Sequence, residues 1–420
     1  MVEQNKSSAF EKLSQDEVNR LRARHEKLMR GQDGGARADF SFKDLRGLNF
    51  SGADLSEANF TGTALYGANF KGCKLDGAIL FAADLRETNF TRASLRRADL
   101  RGALLRGAVL VDCDLYDADL REGVIAMRHR QAGLNYLEHE ADSSNLDGAL
   151  LINANLERAR LSGASAVAAD FTDAVMKGCR LVRANLKRAN LHGANLDGAD
   201  LSGADLSGAD LRDAVICHAQ TAETDFTGAI MEGSLSDTPV GKPLSSLPRP
   251  LEQMLREHNS YVASFGQEGR TAELDEIDLR SAKSLAGLNL AGMRARNAVF
   301  YGLDMKGVHL QGAHLEGADL RSADLSGADM RGINLTGARL HHCDLRNCNL
   351  GPLPLGEDRL LASRLQKAVL HHADLRGATL RKANLAGAVM SHAEIAGADL
   401  RGATLTETVL PNRGEMHISA

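Results

Sequence analysis

Tryptophan is absent, tyrosine occurs five times and phenylalanine twelve, so few of the 420 residues can supply a large ring to a core. Cysteine is scarce as well, at six. With no export signal in view, those thiols are expected to stay reduced in a cytosol. The opening Met1-Val-Glu-Gln-Asn-Lys6 has no basic patch followed by an apolar stretch, so no signal peptide is expected. Nowhere do about eighteen consecutive apolar residues occur, which removes a helical membrane span. Neither charge dominates: the net charge is −5 and the pI is near 6.3. That excludes a strongly basic nucleic-acid binder and a grossly acidic tail. What remains is alanine, leucine and 41 glycines, with 43% hydrophobic content, the makings of a narrow and repetitive core.

The repeat has a period of five. From Phe40 to Ile125 every fifth residue is Leu, Phe or Ile, eighteen in succession. Two places before each centre stands a small residue in sixteen of the eighteen cases, Lys43 and Leu48 being the exceptions. The place just before the centre is often Asp or Asn, as in Ala53-Asp54-Leu55 and Ala68-Asn69-Phe70. A helix repeats at about 3.6 and a strand at about 2, so neither explains the pattern. A chain that turns a corner every five residues does. Four corners close a square coil of about twenty residues, with neighbouring coils at strand spacing, near 4.8 Å. Large centres and small partners fill its interior, and Gly after the centre, as in Leu201-Ser-Gly-Ala-Asp-Leu206, eases each corner.

These residues resemble the pentapeptide-repeat family, with consensus Ala-Asp/Asn-Leu-x-x, over roughly three quarters of the chain. The resemblance implies an all-β fold, the right-handed quadrilateral β-helix. It says little about role, since the family's functions are diverse.

The pattern breaks twice and slips once. Residues 1–37 are expected to form an N-terminal capping helix and turn, followed by a first β-helix over 38–235 with an excursion at 126–145. A Pro-containing linker and second capping helix over 236–271 precede a second β-helix at 272–410, with an excursion at 351–364 and a tail at 411–420. Both halves open alike. Leu21-Arg-Ala-Arg-His25 before Phe40 is echoed by Met254-Leu-Arg-Glu-His258 before Leu274. Ser14-Gln-Asp-Glu17 reads as a capping box, Gly31 as a stop, and Val18, Leu21, His25 and Leu28 as one face. The helices would shield the unpaired edge of the first coil. The last coil, near Leu410, has no such shield in sequence, which leaves end-to-end pairing into a homodimer open.

Chemistry-bearing residues are few. Cys73, Cys113, Cys179, Cys343 and Cys348 take the small inward place, as core substitutes for Ala. His341-His342 and His371-His372 flank the second excursion, with His392 twenty residues beyond His372. If that excursion adds ten residues, His342, His372 and His392 stack in one column. No carboxylate or thiolate completes a zinc set, so neither metal nor cofactor is assigned. Phe50, Phe70 and Phe90 fall on one interior face, each after an Asn. No Gly-x-Ser-x-Gly elbow, phosphate loop, dinucleotide fingerprint or His-Glu-x-x-His occurs, and a filled solenoid has no cleft, so an enzyme is not expected.

Two surfaces stand out as sites for a protein partner. Arg46, Tyr66, Arg86 and Arg106 form a column at the place after the centre. Asp197, Asp200, Asp205, Asp210, Asp213, Glu223, Asp225 and Glu232 are opposed only by Arg212, a net −7 over residues 197–232. Some members of the family are similar to B-DNA in shape and charge and protect type II topoisomerases such as DNA gyrase, which needs a continuous acidic face. Elsewhere the charge is mixed, and Leu-Arg pairs such as Leu85-Arg86 put cations on many faces. The expected role is therefore a cytoplasmic, non-enzymatic scaffold for an unnamed protein, without direct nucleic-acid or membrane contact, and with topoisomerase mimicry as the alternative.

Overall fold

The computed structural model describes residues 10–123, 126–129, 133–136, 144–356 and 359–411. The chain divides into two compact units, Met1–Thr238 and Pro239–Ala420. Each has its own apolar core.

The rung pattern follows directly from the period. Residues before the centre pair in parallel with their counterparts twenty positions on, as in Asp54↔Lys74, Lys74↔Ser94 and Ser94↔Asp114. At a typical corner the Leu55 N–H donates to the Lys74 carbonyl (2.7 Å), and the Lys74 N–H returns to the Ala53 carbonyl (2.9 Å). The turn closes on itself when the Ala58 N–H donates to the Leu55 carbonyl (3.0 Å). Backbone polar groups are thus satisfied without long strands. The centres and the small residues before them are buried through most of each unit, Leu55, Ala58 and Phe60 fully so, whereas in the last coils Met231 is exposed and Phe226, Leu405 and Leu410 are only half-buried.

Glycine is less necessary at the corners than the sequence suggests. The second residue after the centre lies in the left-handed region whether it is Gly52 (φ 68°) or Glu57 (φ 61°), Arg92 (φ 59°) or Asp117 (φ 56°). A side chain there costs about 1 kcal/mol. The backbone bond is the same in either case, Glu57 N–H to the Asp76 carbonyl and Gly52 N–H to the Lys71 carbonyl, both at 2.9 Å.

The two units begin alike. In the first, β1 (Glu11–Lys12) leads into α1 (Gln15–Met29) and pairs in parallel with β2 (Lys43–Asp44). The Ser14 side chain accepts from the Glu17 N–H (3.3 Å) and the Glu17 carboxylate accepts from the Ser14 N–H (2.7 Å), a reciprocal cap. The Gln15 side-chain amide donates to the Asn49 carbonyl (2.8 Å) and accepts from its N–H (2.9 Å), as a neighbouring strand would. Val18 and His25 are buried and Leu21 packs on the core, but Leu28 is 39% exposed, so the inward face ends at His25. The helix itself runs on to Met29 and is capped at Arg30.

Two breaks enter the ladder. Pairing jumps from Asp99↔Asp119 to Leu104↔Asn145, and the inserted chain carries an antiparallel pair, β3 (Ala126–His129) with β4 (Gly133–Tyr136). The rest of that break, 124–125, 130–132 and 137–143, lies outside the described residues.

In the second unit β5 (Lys242–Pro243) leads to α2 (Leu251–Ala263) and pairs in parallel with β6 (Ile277–Asp278). After Asp278↔Val299 the spacing falls from twenty-one to the regular twenty at Asn289↔His309. The second insertion lengthens Asn334↔Arg364 by ten and folds as β7 (Leu353–Pro354) against β8 (Leu360–Leu361).

Both insertions are closed by the same device. Ser144 and Ser363, each fully buried, stand where the chain re-enters the coil. The Gly102 N–H donates to Ser144 Oγ (3.0 Å), which donates to the Arg121 carbonyl (2.9 Å). The Gly332 N–H donates to Ser363 Oγ (2.9 Å), which lies 3.1 Å from the Gly351 carbonyl.

Candidate interaction surfaces

The local unit of surface charge is Asp-Leu-Arg. Asp84 accepts from the Arg86 N–H (3.3 Å) and takes the guanidinium in a fork, Nε at 2.7 Å and Nη2 at 2.7 Å. The same closure recurs at Asp99–Arg101, Asp119–Arg121, Asp210–Arg212, Asp374–Arg376 and Asp399–Arg401. The Arg376 hydrogen bond and charge, with the backbone bond to its N–H, overcome burial and hold the Asp374 carboxyl below its ordinary range. The guanidinium of Arg376 is held more basic than usual by the same partner. Cations expected to face outward are thus neutralised two residues away. The signal was present, since both charges flank one Leu, but it emerges only when the pair is read across a corner.

The structure brings the column together. Arg46, Tyr66, Arg86 and Arg106 lie on successive coils and are all exposed. Their carbonyls and those of the neighbouring rungs fix the register, with Gly47 N–H to Tyr66 O (3.0 Å), Gly67 N–H to Arg86 O (3.0 Å) and Glu87 N–H to Arg106 O (3.1 Å). The Tyr66 hydroxyl donates to Glu87 (2.6 Å), which pushes its pKa up, and the Arg86 guanidinium lies 5.9 Å from the Tyr66 ring. Arg46 is held by Asp44 as Arg86 is by Asp84.

The acidic group does not form one face. Asp205 and Asp225 are adjacent rungs of one ladder, whereas Asp200 pairs with Gln220 and Asp210 with Ile230 on other sides of the coil. The repeat forces this, because residues five apart fall on successive corners. Most carboxylates are also engaged locally. Asp200 accepts from the Ser202 N–H (3.1 Å) and hydroxyl (2.7 Å). Asp205 accepts from the Ser207 hydroxyl (2.6 Å) and meets Lys187 at 3.0 Å. Asp225 accepts from the Thr227 N–H (2.9 Å), and Asp197 pairs with His218 (2.8 Å). Asp213 and Glu223 occupy left-handed corners (φ 55° and 58°).

The histidines stack. His342 and His372 are 4.9 Å apart with rings within 4° of parallel, His372 and His392 are 5.1 Å apart, and His341 lies 5.5 Å from His371. Burial, with the neighbouring imidazoles His342, His392 and His371, pushes His372 down to about 2, so it is neutral at ordinary pH. Among the described residues no group of three or more His, Cys, Asp or Glu could hold a metal ion. All six cysteines are buried. Burial pushes the Cys73 thiol up to about 11 and Cys348 up to about 12. Among the described residues no helix is long and apolar enough to cross a membrane.

A family model for pentapeptide repeats matches eight copies, at residues 36–81, 82–121, 142–178, 167–203, 194–233, 272–317, 313–351 and 363–407. Among solved structures, HetL, a pentapeptide repeat protein involved in heterocyst differentiation regulation from the cyanobacterium Nostoc sp. strain PCC 7120, is 23% identical, covering 93% of this chain and 98% of HetL with a TM-score of 0.21. Rfr23, a pentapeptide repeat protein from the cyanobacterium Cyanothece 51142, is 29% identical over 31% of this chain and 90% of its own, with a TM-score of 0.24. QnrB1, a plasmid-mediated fluoroquinolone resistance protein, is 21% identical over 48% of this chain and 93% of its own, with a TM-score of 0.22. No curated protein matches the chain.

Proposed function

The chain belongs to the pentapeptide-repeat family, whose model matches well over half of its residues, and from this premise we propose that it is a non-enzymatic scaffold that docks a protein partner on fixed side-chain columns. Each unit would be a right-handed quadrilateral β-helix covered at its start by a helix, α1 in one and α2 in the other. The Gln15 amide supports that role, since it stands in for a missing rung at Asn49.

The observation that carries the scaffold reading is the rung register of Arg46, Tyr66, Arg86 and Arg106. Side chains already held by Asp44, Glu87 and Asp84 lose little further freedom on binding, so a partner meets a preorganised surface. Asp205 and Asp225, with Glu223 and Asp200 nearby in sequence, form a second zone suited to a basic partner. Asp197, Asp210 and Asp213 extend it around the coil.

Topoisomerase mimicry requires free negative charge along one face. The Asp-Leu-Arg pairs and the spread of the acidic group over several corners favour the scaffold instead. The test is capture of a partner from the native cytosol by immobilised protein, repeated with a Tyr66→Ala, Arg86→Glu variant. Loss of the captured protein at unchanged melting temperature is expected. Undiminished capture by the variant would remove the column from the site, and dose-dependent protection of DNA gyrase in a supercoiling assay would favour mimicry.

A further inference from the structure

The echo between the two halves has a chemical core. His25 of α1 accepts the Ala38 N–H through Nδ1 at 3.1 Å, and His258 of α2 accepts the Ala272 N–H through Nδ1 at 3.0 Å. Both imidazoles are fully buried. Ala38 and Ala272 are the small inward residues two places before the first large centres, Phe40 and Leu274, so each bond ties a helix to the start of its coil.

A backbone N–H can only donate, so both Nδ1 atoms are unprotonated and each ring carries its proton on Nε2. That Nε2 is buried without a hydrogen-bond partner in either unit. The backbone of Ser56 in the first unit, and of Leu290 and Ala291 in the second, favours protonation of the ring but does not outweigh its burial. Adding a proton at Nδ1 would set two N–H groups against each other and bury a positive charge in a dry site.

We infer that His25 and His258 are acid-released latches: the neutral imidazole holds each helix on its first coil, and protonation lets the helix go, exposing the coil edge to another copy of the chain. The inference rests on the reading of α1 and α2 as covers. Burial lowers the affinity of both imidazoles for a proton relative to the unfolded chain. The latch is therefore at full strength above the ordinary histidine value of about 6.5 and weakens as pH falls below it, by up to about tenfold per unit for each ring. The loss ends once pH passes the depressed folded value. His25 faces Asp54 and Glu26, which favour its protonation, and Arg37, which opposes it. Around His258 no charged group contributes among the described residues. Both latches accordingly begin to weaken at the same pH, and the ring whose value is depressed further goes on weakening to lower pH.

Amide exchange on the full chain, corrected for intrinsic rates and compared at about pH 7.5 and about pH 5, reads the latch directly. Protection at Ala38 and Ala272 is expected to fall, by up to about tenfold for each pH unit below about 6.5, while Leu95 and Leu325, bonded to Asp114 and Asp344 within the ladder, keep theirs. In a His25→Asn, His258→Asn variant, whose amide oxygen accepts without titrating, the drop should vanish. Equal protection of the native chain at both pH values would overturn the latch, and so would a pH dependence that survives in the variant. Should the variant not fold, the nitrogen resonances of the native imidazoles decide: Ala38 protection must begin to fall while Nδ1 is still unprotonated and level off once Nδ1 takes up its proton, and any other order refutes the proposal. A Val18→Asp change tests the cover separately. Self-association at neutral pH is expected, and its absence would sink the cover reading and the latch with it.

Discussion

Phe70 offers the sharpest test of the packed interior. Its ring stacks on Phe50 (4.5 Å between centroids, 3° between planes) and on Phe90 (5.2 Å, 15°), and meets Phe60 edge-on (5.7 Å, 83°). Phe171 is equally buried but has no aromatic neighbour among the described residues. Leu is the commonest residue at such centres, so Phe→Leu disturbs the backbone at neither site. The loss of ring area is shared and cancels in the comparison. What differs is three aromatic pairs, each worth about 0.5–1.5 kcal/mol beyond burial. Because the three share one ring and are not additive, Phe70→Leu should cost about 2–3 kcal/mol more than Phe171→Leu. Denaturant unfolding followed by circular dichroism measures it, provided the slopes agree, since solenoids can unfold in stages. Losses equal within about 0.5 kcal/mol would refute the claim that the stacked rings contribute more than their area.

Ala204→Leu should destabilise by about 1–3 kcal/mol through overpacking, whereas Ser207→Lys, which forfeits one bond to Asp205, should cost less than about 1 kcal/mol; equal midpoints would mean the inward and outward faces are wrongly assigned. Ser363→Ala leaves the Gly332 N–H with only the longer Gly351 carbonyl bond (3.2 Å), so a loss of about 1 kcal/mol and faster exchange at Gly332 are expected. The buried cysteines should resist a thiol reagent at mildly alkaline pH until the protein unfolds; rapid labelling of Cys73 or Cys348 in the native state would contradict their raised pKa.

The sequence already carried the repeat, its inward pair and the stacking of Phe50, Phe70 and Phe90, because a period of five on a square coil fixes which residues share a side. Insertion lengths could be read too, since a jump of ten between Asn334 and Arg364 leaves His342 and His372 in register. Other features depend on contacts that periodicity does not encode. The hydroxyls of Ser144 and Ser363 matter only because the ladder resumes at the next residue, Asn145 or Arg364, after an insertion, and nothing in a single Ser announces that. The acidic residues between Asp197 and Glu232 looked like a band in linear order, but a twenty-residue circuit spreads them around the coil. The His25 and His258 bonds were foreshadowed only by the echo of their flanking residues, since neither partner is a side chain.

The corners that keep a side chain despite their left-handed backbone have a broader implication. Glycine at Arg183, Arg188, His342, His372 or His392 would relax the chain by about 1 kcal/mol at each site, and a run of such changes would yield hardier but featureless corners. The protein as it stands forgoes that hardiness at many of its vertices. Its least comfortable torsions are therefore a chart, drawn in conformational cost, of where its outline has been shaped for something other than endurance.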